Sequence, residues 1–444
     1  MKLKTILAAT LAAGITSSAL AQTTEITITG ATAFRQASMQ AIYNAYSSVG
    51  ALGNTFNVCH DFTGNNLSQL IASNKAVFSG TFPGITGTTV IRTSFNGSAE
   101  GLNAIAGNNN PTYLQTAALL NTGSIQGSTT TPTQTLRPKF SFSDVYQSTT
   151  PIDNEVLQPV GDSTVGVVTF AMIANEGAPA DLTNVTVQQA RQLWTSGIQP
   201  LSLFTGDPND TSLVFATGRN DGSGTRAAYL TEWTYGVANL VNQYITTKNG
   251  NSTAITRITL VPANGLGSGN FETSGANNAS TLWGNSATGN GGYSSSSALR
   301  TVMGLPSTSV DVYNGVDNSP DISGANILLL TWLSTADSKN AAANGGKILT
   351  YNGVGVTPID AAGSYLNSGF NEADFKKIAN GAYSAWSYQH LYYHGSLTAN
   401  EQTWYDAMKA TWIPEGLGLT SNGLELGDMA VSRPNDGSPI VAPF

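Results

Sequence analysis

The chain has 444 residues, of which 40% are hydrophobic and 10% are charged, and its formal net charge is −8. That length and hydrophobic content allow more than one buried core and exclude a chain that is disordered throughout, so we expect two domains. The acidic balance and the lack of basic runs argue against nucleic acid or an anionic membrane as a partner. Cys59 is the only cysteine, which excludes an internal disulfide. Because only three histidines accompany it (His60, His390 and His394), we expect no metal and no other cofactor.

The first 21 residues have the pattern of a signal peptide. Lys2 and Lys4 form a basic start, residues 6–20 are mostly apolar, and an A-x-A cleavage pattern ends at Ala21. The apolar stretch is short for a membrane-spanning helix, and no later stretch approaches the roughly 18 consecutive apolar residues that one needs. A core helix is the alternative interpretation. We predict cleavage after Ala21 and a soluble mature protein that is periplasmic or secreted.

The mature chain opens with strand–turn–helix units. Residues 25–29 alternate apolar and polar positions, which predicts a strand, and residues 30–32 follow as a glycine turn. Apolar residues at helical spacing then predict a helix over residues 34–46. The pattern recurs over residues 89–106, where a strand, the turn 96–98 and a helix follow one another.

The middle of the chain continues the alternation of strands and helices. Residues 107–137 are rich in Asn, Thr, Gln and Gly and predict an inserted loop, and residues 140–142 predict a short strand that leads to Asp144. The nearly continuous apolar run 165–173 is typical of a parallel strand that is covered on both faces. Apolar residues at helical spacing predict a helix over residues 185–194.

A strand predicted over residues 213–216 delivers the chain to Arg219. Beyond it, apolar residues at the helical period predict a long amphipathic helix over residues 226–244. Residues 264–297 are rich in Gly, Asn and Ser and predict a long loop, and residues 327–332 predict another buried strand. Strands that alternate with helices indicate an α/β architecture with mainly parallel sheets.

Residues 219–225, with the sequence Arg-Asn-Asp-Gly-Ser-Gly-Thr, carry the clearest chemistry and are called the Arg219 segment below. They precede a predicted helix, whose start exposes unpaired backbone N–H groups and the positive end of the helix dipole, an arrangement that suits an anion. Two glycines let the backbone approach a ligand, two hydroxyls add donors, and Arg219 can bind two oxygens at once. The alternative is an ordinary helix cap, with Asp221 or Ser223 as the capping residue and a surface arginine.

The turns 30–32 and 96–98 also combine glycine with a hydroxyl residue and open helices after strands. A helix cap explains either turn when it is considered alone. Three such helix starts in one α/β chain favour convergence on a single anion. Asp144 would add a carboxylate near an apolar strand end, although a turn aspartate is the alternative there.

These residues resemble the phosphate-binding proteins of ABC phosphate transport systems, a branch of the type II periplasmic binding proteins. The Arg219 segment matches the family's R-x-D-G-S-G-T motif in full. The chain departs from the family's prolines, with Gln36 beside Arg35 after the first turn and with Ser384 near the C-terminal motif. Weaker matches follow the family's order: Gly30-Ala31-Thr32, Gly97-Ser98, Ser143-Asp144, residues 327–337 and Asn380-Gly381-Ala382-Tyr383.

The resemblance implies a two-domain periplasmic-binding-protein fold of type II, in which mainly parallel sheets are flanked by helices and a hinge joins the domains. It divides the chain into a signal peptide (1–21), a first α/β domain (22–164), a second α/β domain (165–326) and a return to the first domain with a C-terminal extension (327–444). It also implies inorganic phosphate as the ligand, an ABC permease of the inner membrane as a partner, and a monomer.

The resemblance further implies a role for individual residues. Arg219 would supply the charge, and Asp221 would orient it through an ion pair. Asp144 would accept the proton that hydrogen phosphate carries and sulfate lacks, because a buried carboxylate is repelled by an unprotonated oxyanion. The implied phosphate-binding residues are Thr32, Ala33, Phe34, Ser98, Asp144, Arg219, Asp221, Ser223, Gly224 and Thr225.

Two other functions stay open behind phosphate binding. A surface or matrix protein that kept the fold and lost the ligand would suit the expanded polar loops and the low charge. A phosphatase-like relative comes third, because the sequence has no G-x-S-x-G nucleophile elbow, no complete P-loop and no evident His/carboxylate cluster. We therefore expect no catalytic residues and a protein that is not an enzyme.

Overall fold

The computed structural model describes residues 23–50, 56–119, 124–130, 132–152, 155–247, 253–260, 276–277, 289–314, 319–420 and 423–442. The expected signal peptide and most of the predicted loop 264–297 lie outside the described residues. Nowhere in the described ranges is there a helix both long enough and apolar enough to cross a membrane.

Helices and strands alternate through the described chain. The helices are α1 (Arg35–Gly50), α2 (Leu67–Ala72), α3 (Ser98–Ile105), α4 (Val187–Ser196), α5 (Ser202–Thr205), α6 (Gly224–Glu232), α7 (Ser296–Met303), α8 (Thr335–Ala342), α9 (Glu372–Ala379), α10 (Ala399–Ala407) and α11 (Ile413–Thr420). The strands are β1 (Thr23–Gly30), β2 (Asn57–His60), β3 (Lys75–Gly80), β4 (Thr88–Phe95), β5 (Thr112–Leu114), β6 (Ile125–Gly127), β7 (Thr133–Thr135), β8 (Phe140–Ser143), β9 (Thr164–Ala174), β10 (Asn184–Val185), β11 (Ile198–Pro200), β12 (Leu213–Ala216), β13 (Tyr244–Thr247), β14 (Arg257–Leu260), β15 (Ala276–Asn277), β16 (Gly292–Tyr293), β17 (Val310–Tyr313), β18 (Ile322–Ala325), β19 (Ile327–Ser334), β20 (Lys347–Tyr351), β21 (Trp386–Tyr393) and β22 (Gly423–Leu424).

One large sheet positions the helix starts. Its strand order is β11-β12-β19-β9-β21-β8-β1-β4-β3-β2-β6, and a smaller sheet has the order β13-β14-β17-β18. β1 pairs in parallel with both β4 and β8. The carboxyl ends of these three strands, at Gly30, Phe95 and Ser143, therefore lie at one edge of the sheet. The turns that follow them become neighbours although they are far apart in sequence.

The predicted parallel pairing of β9 is wrong. All but the first of its 11 residues are buried, as expected, but it pairs in the antiparallel direction with β19, β20, β21 and β22. Burial on both faces produces an apolar run whatever the direction of the neighbouring strands, so the run carries no information about pairing direction. The sheets are mixed rather than mainly parallel, and the α/β class with flanking helices is confirmed.

The long helix predicted over residues 226–244 is also wrong. α6 ends at Glu232, and Thr234 and Gly236 have positive φ angles of 51° and 93°, which a continuing right-handed helix does not contain. Tyr244 begins strand β13. Val241 and Tyr244 are buried in the following loop and strand, so their spacing matched the helical period without a helix.

β19 shows how the cores are arranged. All eight of its residues are buried between β12 and β9, and alternate residues face opposite sides of the sheet. Leu328, Leu330 and Trp332 belong to one hydrophobic core, and Ile327, Leu329 and Leu333 belong to another. A third core packs α1, α10 and α11 against the part of the sheet that contains β1.

Two smaller predictions have clear outcomes. Residues 107–137, predicted as an inserted loop, contain the short strands β5, β6 and β7 within their described part. Residues 434–437, where Pro, Asn, Asp and Gly follow one another as is typical of a turn, do form one, with Ser438 N donating to Asn435 O at 3.1 Å. The domain boundaries at residues 165 and 327 stay a prediction.

Two glycines of α11 test its packing against α1. A Cβ at Gly416 would lie 2.3 Å from the backbone oxygen of Ala37, whereas a Cβ at Gly418 meets no atom within 4 Å. We expect Gly416→Ala to lower the free energy of unfolding by about 1–3 kcal/mol through overpacking. The matched control Gly418→Ala should raise it by up to about 1 kcal/mol through helix propensity. Urea unfolding of both variants measures the difference, and equal effects would contradict the described helix contact.

Candidate functional site

The Arg219 segment connects β12 to α6. Arg219 forms an isolated parallel bridge with Tyr293, which fixes the backbone before the turn. Ser223 caps α6 by accepting a hydrogen bond from the Arg226 backbone N–H at 3.4 Å. The segment is therefore a capped helix start. The helix-cap alternative, however, required a surface arginine, and Arg219 is buried.

The guanidinium of Arg219 is held by three hydrogen bonds. Nε donates to the backbone oxygen of Tyr293 at 2.9 Å, and Nη2 donates to the backbone oxygen of Ser294 at 2.8 Å. Nη1 donates to Oγ1 of Thr32 at 2.7 Å. Thr32 follows β1 and lies 187 residues earlier in the chain. The turn after β1 and the Arg219 segment are thus brought into direct contact.

Sequence reasoning missed the residues that orient Arg219. Tyr293 and Ser294 fall in the predicted loop 264–297, and Gln243 falls in the helix that was wrongly predicted. The Gln243 side chain donates to the backbone oxygen of Arg219 at 3.1 Å. The one sequence feature that could have indicated this contact is the glycine at position 292. A Cβ there would lie 2.6 Å from the Arg219 backbone, so only glycine fits.

Asp144 lies between the other two predicted groups. Its backbone N–H donates to Oγ of Ser98 at 3.0 Å, and its carboxylate Oδ2 accepts from Oγ1 of Thr225 at 3.3 Å. All three residues are at most 1% exposed. Oδ1 of Asp144 is buried and has no hydrogen-bond partner among the described residues. A carboxylate oxygen that is buried without a donor is costly, so it favours a ligand that supplies a proton.

Glycines permit the close approach of these segments. A Cβ at Gly224 would lie 2.1 Å from Oγ of Ser98 and 3.1 Å from Cβ of Asp144. Gly97 has a φ of 134°, and a Cβ there would lie 2.4 Å from the backbone oxygen of Gly222. Both positions therefore exclude larger side chains, for steric reasons and at Gly97 also for conformational ones.

Backbone N–H groups at the helix starts add further donors. Five of them donate to no backbone oxygen outside their own helix among the described residues. They are buried and belong to the first residues of α1, α3 and α6 or to the turns just before them, where helix geometry leaves N–H groups without intrahelical acceptors. These residues are Ala33, Phe34, Ser98, Gly224 and Thr225. All of them were predicted from the sequence.

The expected ion pair between Asp221 and Arg219 is not found in the part of the chain that the structure describes. The three donor nitrogens of Arg219 bind Thr32, Tyr293 and Ser294. The charge of Asp221 acts instead on the pKa values of Arg226 and Glu100. The guanidinium of Arg219 thus forms its hydrogen bonds with Thr32 and with the segment after residue 289, both outside its own turn.

Burial dominates the electrostatics of the site. Burial raises the pKa of Asp144 from 3.8 to about 7, although the charge of Arg219 and the hydrogen bond from Thr225 lower it. Burial likewise lowers the pKa of Arg219 to about 10, against the charges of Asp144 and Asp337. Near neutral pH, Arg219 is therefore cationic, while Asp144 is partly protonated.

Metal-binding side chains do not converge in this region. Among the described residues, no group of three or more His, Cys, Asp or Glu side chains is placed to hold a metal ion. Cys59, the only cysteine of the chain, is buried on β2. The donors that do converge are hydroxyls, backbone N–H groups and a guanidinium, which suit an oxyanion.

No family model matches the chain, and no curated protein matches it. Solved structures similar to it include a protein from Clostridium perfringens described as a phosphate ABC transporter substrate-binding protein with bound phosphate. It is 12% identical, the match covers 90% of this chain and 99% of that one, and the TM-score is 0.45. An ABC-type phosphate transport receptor from Vibrio cholerae is 10% identical, with 88% and 96% covered and a TM-score of 0.39. PstS from Borrelia burgdorferi is 10% identical, with 89% and 96% covered and a TM-score of 0.34.

The pKa of Asp144 makes a prediction about stability without ligand. Because the folded-state pKa is raised from 3.8 to about 7, the folded chain holds a proton that the unfolded chain loses between about pH 4 and pH 7. Stability should therefore fall as the pH rises through that window, by up to about 4 kcal/mol. Asp144→Asn should remove this decline in urea unfolding, while the exposed control Asp181→Asn should keep it. Parallel pH curves for wild type and Asp144→Asn would contradict the raised pKa.

Proposed function

We propose that the chain is an exported binding protein for hydrogen phosphate. The ligand would lie between two groups of residues: Thr32, Ser98 and Asp144 on one side, and the Arg219 segment on the other. The observation that carries the proposal is the buried Oδ1 of Asp144, which has no hydrogen-bond donor among the described residues. This carboxyl lies within electrostatic range of the buried Arg219. Hydrogen phosphate offers both a proton for that oxygen and a negative charge for Arg219. The ligand would therefore satisfy both groups at once.

The protonation state of the ligand gives the site its selectivity. Above its pKa of about 7, ionised Asp144 accepts the hydroxyl proton of hydrogen phosphate, whereas sulfate carries no proton. A sulfate oxygen would face the carboxylate, and their repulsion is large in a buried site. Discrimination then comes from one carboxylate and needs no difference in size between the two ligands.

The remaining donors account for the other oxygens of the ligand. Thr32 Oγ1 accepts from Arg219 and can still donate its own proton, whereas the hydroxyl proton of Thr225 is donated to Asp144. The backbone N–H groups of Phe34, Gly224 and Thr225 lie at helix starts and add further donors. Such preset dipoles bind an anion without reorganisation. Arg219, cationic at neutral pH, supplies the net charge.

The biological role in this proposal is uptake. The predicted signal peptide places the mature chain outside the cytoplasm, and the order of the motifs supports a solute-binding protein that serves an ABC permease as a monomer. Domains with boundaries near residues 165 and 327 would close over the ligand by a hinge motion. The proposal assigns no enzymatic activity.

One observation favours a second candidate, a structural protein that keeps the fold without a ligand. Arg219 contacts Thr32 directly, and Thr225 contacts Asp144 directly, so some donors of the site already satisfy one another. In that case Oδ1 of Asp144 would be satisfied by its own proton. Binding measurements separate the two candidates.

Calorimetry on the mature protein tests the ligand. At about pH 8.5, where Asp144 is ionised, we expect tight binding of phosphate and much weaker binding of sulfate. Asp144→Asn should reduce the ratio of the two affinities by about tenfold or more, because the amide donates to sulfate and no longer repels it. Ser143, whose hydroxyl donates to the Val145 backbone oxygen at 2.6 Å, gives the control Ser143→Ala with the ratio retained. Absence of heat with either anion would overturn the phosphate assignment.

A second measurement tests the charge at the site. Arg219→Ala should weaken phosphate binding by several kcal/mol, on the order of a hundredfold or more, since a buried anion would lose its main countercharge. Arg191→Ala, an exposed arginine on α4, is the control and should bind phosphate as wild type does. Circular dichroism verifies that both variants are folded. An unchanged affinity of the folded Arg219 variant would remove this residue from the site.

A further inference from the structure

Arg35 is a second buried arginine beside the candidate site. It is the first residue of α1 and follows the turn that contains Thr32. Its side chain is fully buried, with Nη1 donating to Oδ1 of Asn74 at 2.7 Å and Nη2 donating to Oγ of Ser297 at 3.0 Å. In this position the family that the sequence resembles has its proline region, so the motif comparison assigns Arg35 no role.

The charge of Arg35 is poorly compensated. Both of its partners are neutral, and its Nε has no hydrogen-bond partner among the described residues. The charges in range are those of Asp337, Arg300 and Asp61. Asp337 already forms an ion pair with Arg300 at 3.0 Å and also acts on Arg219. Asp337 is therefore shared by three guanidiniums, and Asp61 is the other carboxylate in range of Arg35.

Arg35 and Arg219 are anchored by the same short segment. Arg219 donates to the backbone oxygens of Tyr293 and Ser294, and Arg35 donates to the hydroxyl of Ser297, three residues further along. The charge of Arg35 is near enough to lower the pKa of Arg219. Two buried cations thus repel each other across the start of α7, and an anion between their helix starts would relieve that repulsion.

We propose that Arg35 is the second cationic group of the oxyanion site and sets its preference for a doubly charged anion. The inference rests on the proposed function, because it assigns a further residue to the same site. Coulomb energy is proportional to ligand charge, so loss of one fixed positive charge costs a dianion twice the free energy that it costs a monoanion. Arg219 alone would attract both forms, and the second arginine increases the advantage of the dianion.

The test compares phosphate in its two charge states. Calorimetry at about pH 8.5 measures the dianion, and calorimetry at about pH 5.5 measures the monoanion. If Arg35→Met weakens binding of the monoanion by roughly tenfold, it should weaken binding of the dianion by roughly a hundredfold. Arg35→Lys retains the charge and should restore most of the preference for the dianion.

Two controls separate charge from structure. Arg92 is a buried arginine of β4 that pairs with Glu25, and Arg92→Met should change the two affinities by equal factors. Asp144 also titrates between the two pH values, but it does so in wild type and variant alike. The ratio of variant affinity to wild-type affinity at each pH therefore cancels its effect. The groups that face Arg35 are Asp337, Arg300, Asp61 and Arg219. Burial raises the pKa of Asp61, whereas the charges of Arg300 and Arg35 lower the pKa of Asp337 against the effect of burial. Thermal melts with and without phosphate confirm that each variant folds.

The outcomes are distinguishable. A wild-type protein that binds no phosphate would overturn the proposed function together with this inference. If wild type binds but Arg35→Met weakens the dianion and the monoanion by the same factor, the inference alone is overturned and Arg35 only supports the fold. Failure of Arg35→Lys to restore the preference would also overturn it, because the charge would then not be the cause.

Discussion

Burial of the Arg219 guanidinium is the constraint on which the rest of the site depends. A fully buried cation must have its donors satisfied, and here two backbone oxygens and one hydroxyl do so. Those partners come from two distant segments, residues 293–294 and the turn after β1. The requirement to satisfy one side chain thus determines where both segments lie. It also leaves Gly292 without room for a side chain.

The large sheet brings the opposing groups to this arginine. Because β1, β4 and β8 are parallel neighbours, the turns that carry Thr32, Ser98 and Asp144 all leave one edge of the sheet. Each turn is short, so its side chain stays close to the strand end. The Arg219 segment leaves β12, whose parallel neighbour β19 joins the same sheet through β9. A site made of segments up to 187 residues apart is therefore held by backbone hydrogen bonds rather than by side-chain contacts alone.

Local features of this fold were predictable from the sequence, and features that depend on distant partners were not. The strands β1, β4, β8, β12 and β19 and the helix starts at residues 35, 98 and 224 follow from periodicity and glycine turns, which act over a few residues. The direction of β9 and the end of α6 depend on which neighbours cover them, and an apolar run looks the same in either case. Gln243, Tyr293 and Ser294 act through backbone groups or a single amide, so their residue types carry no motif. The candidate site was predicted as a set of oxyanion-binding residues, but the residues that hold it in place were not.

The balance between burial and charge decides what the site favours. Asp144 lies within range of a cation, yet burial raises its pKa to about 7, so desolvation exceeds the attraction of Arg219. Burial of the carboxyl is the largest cause, and the charge of Arg219 and the hydrogen bond from Thr225 offset only part of it. In the proposed site, the buried cation Arg219 disfavours a neutral ligand, and the carboxyl of Asp144 disfavours one that carries no proton. The proposed ligand, an anion that carries both negative charge and a proton, would satisfy the two conditions together.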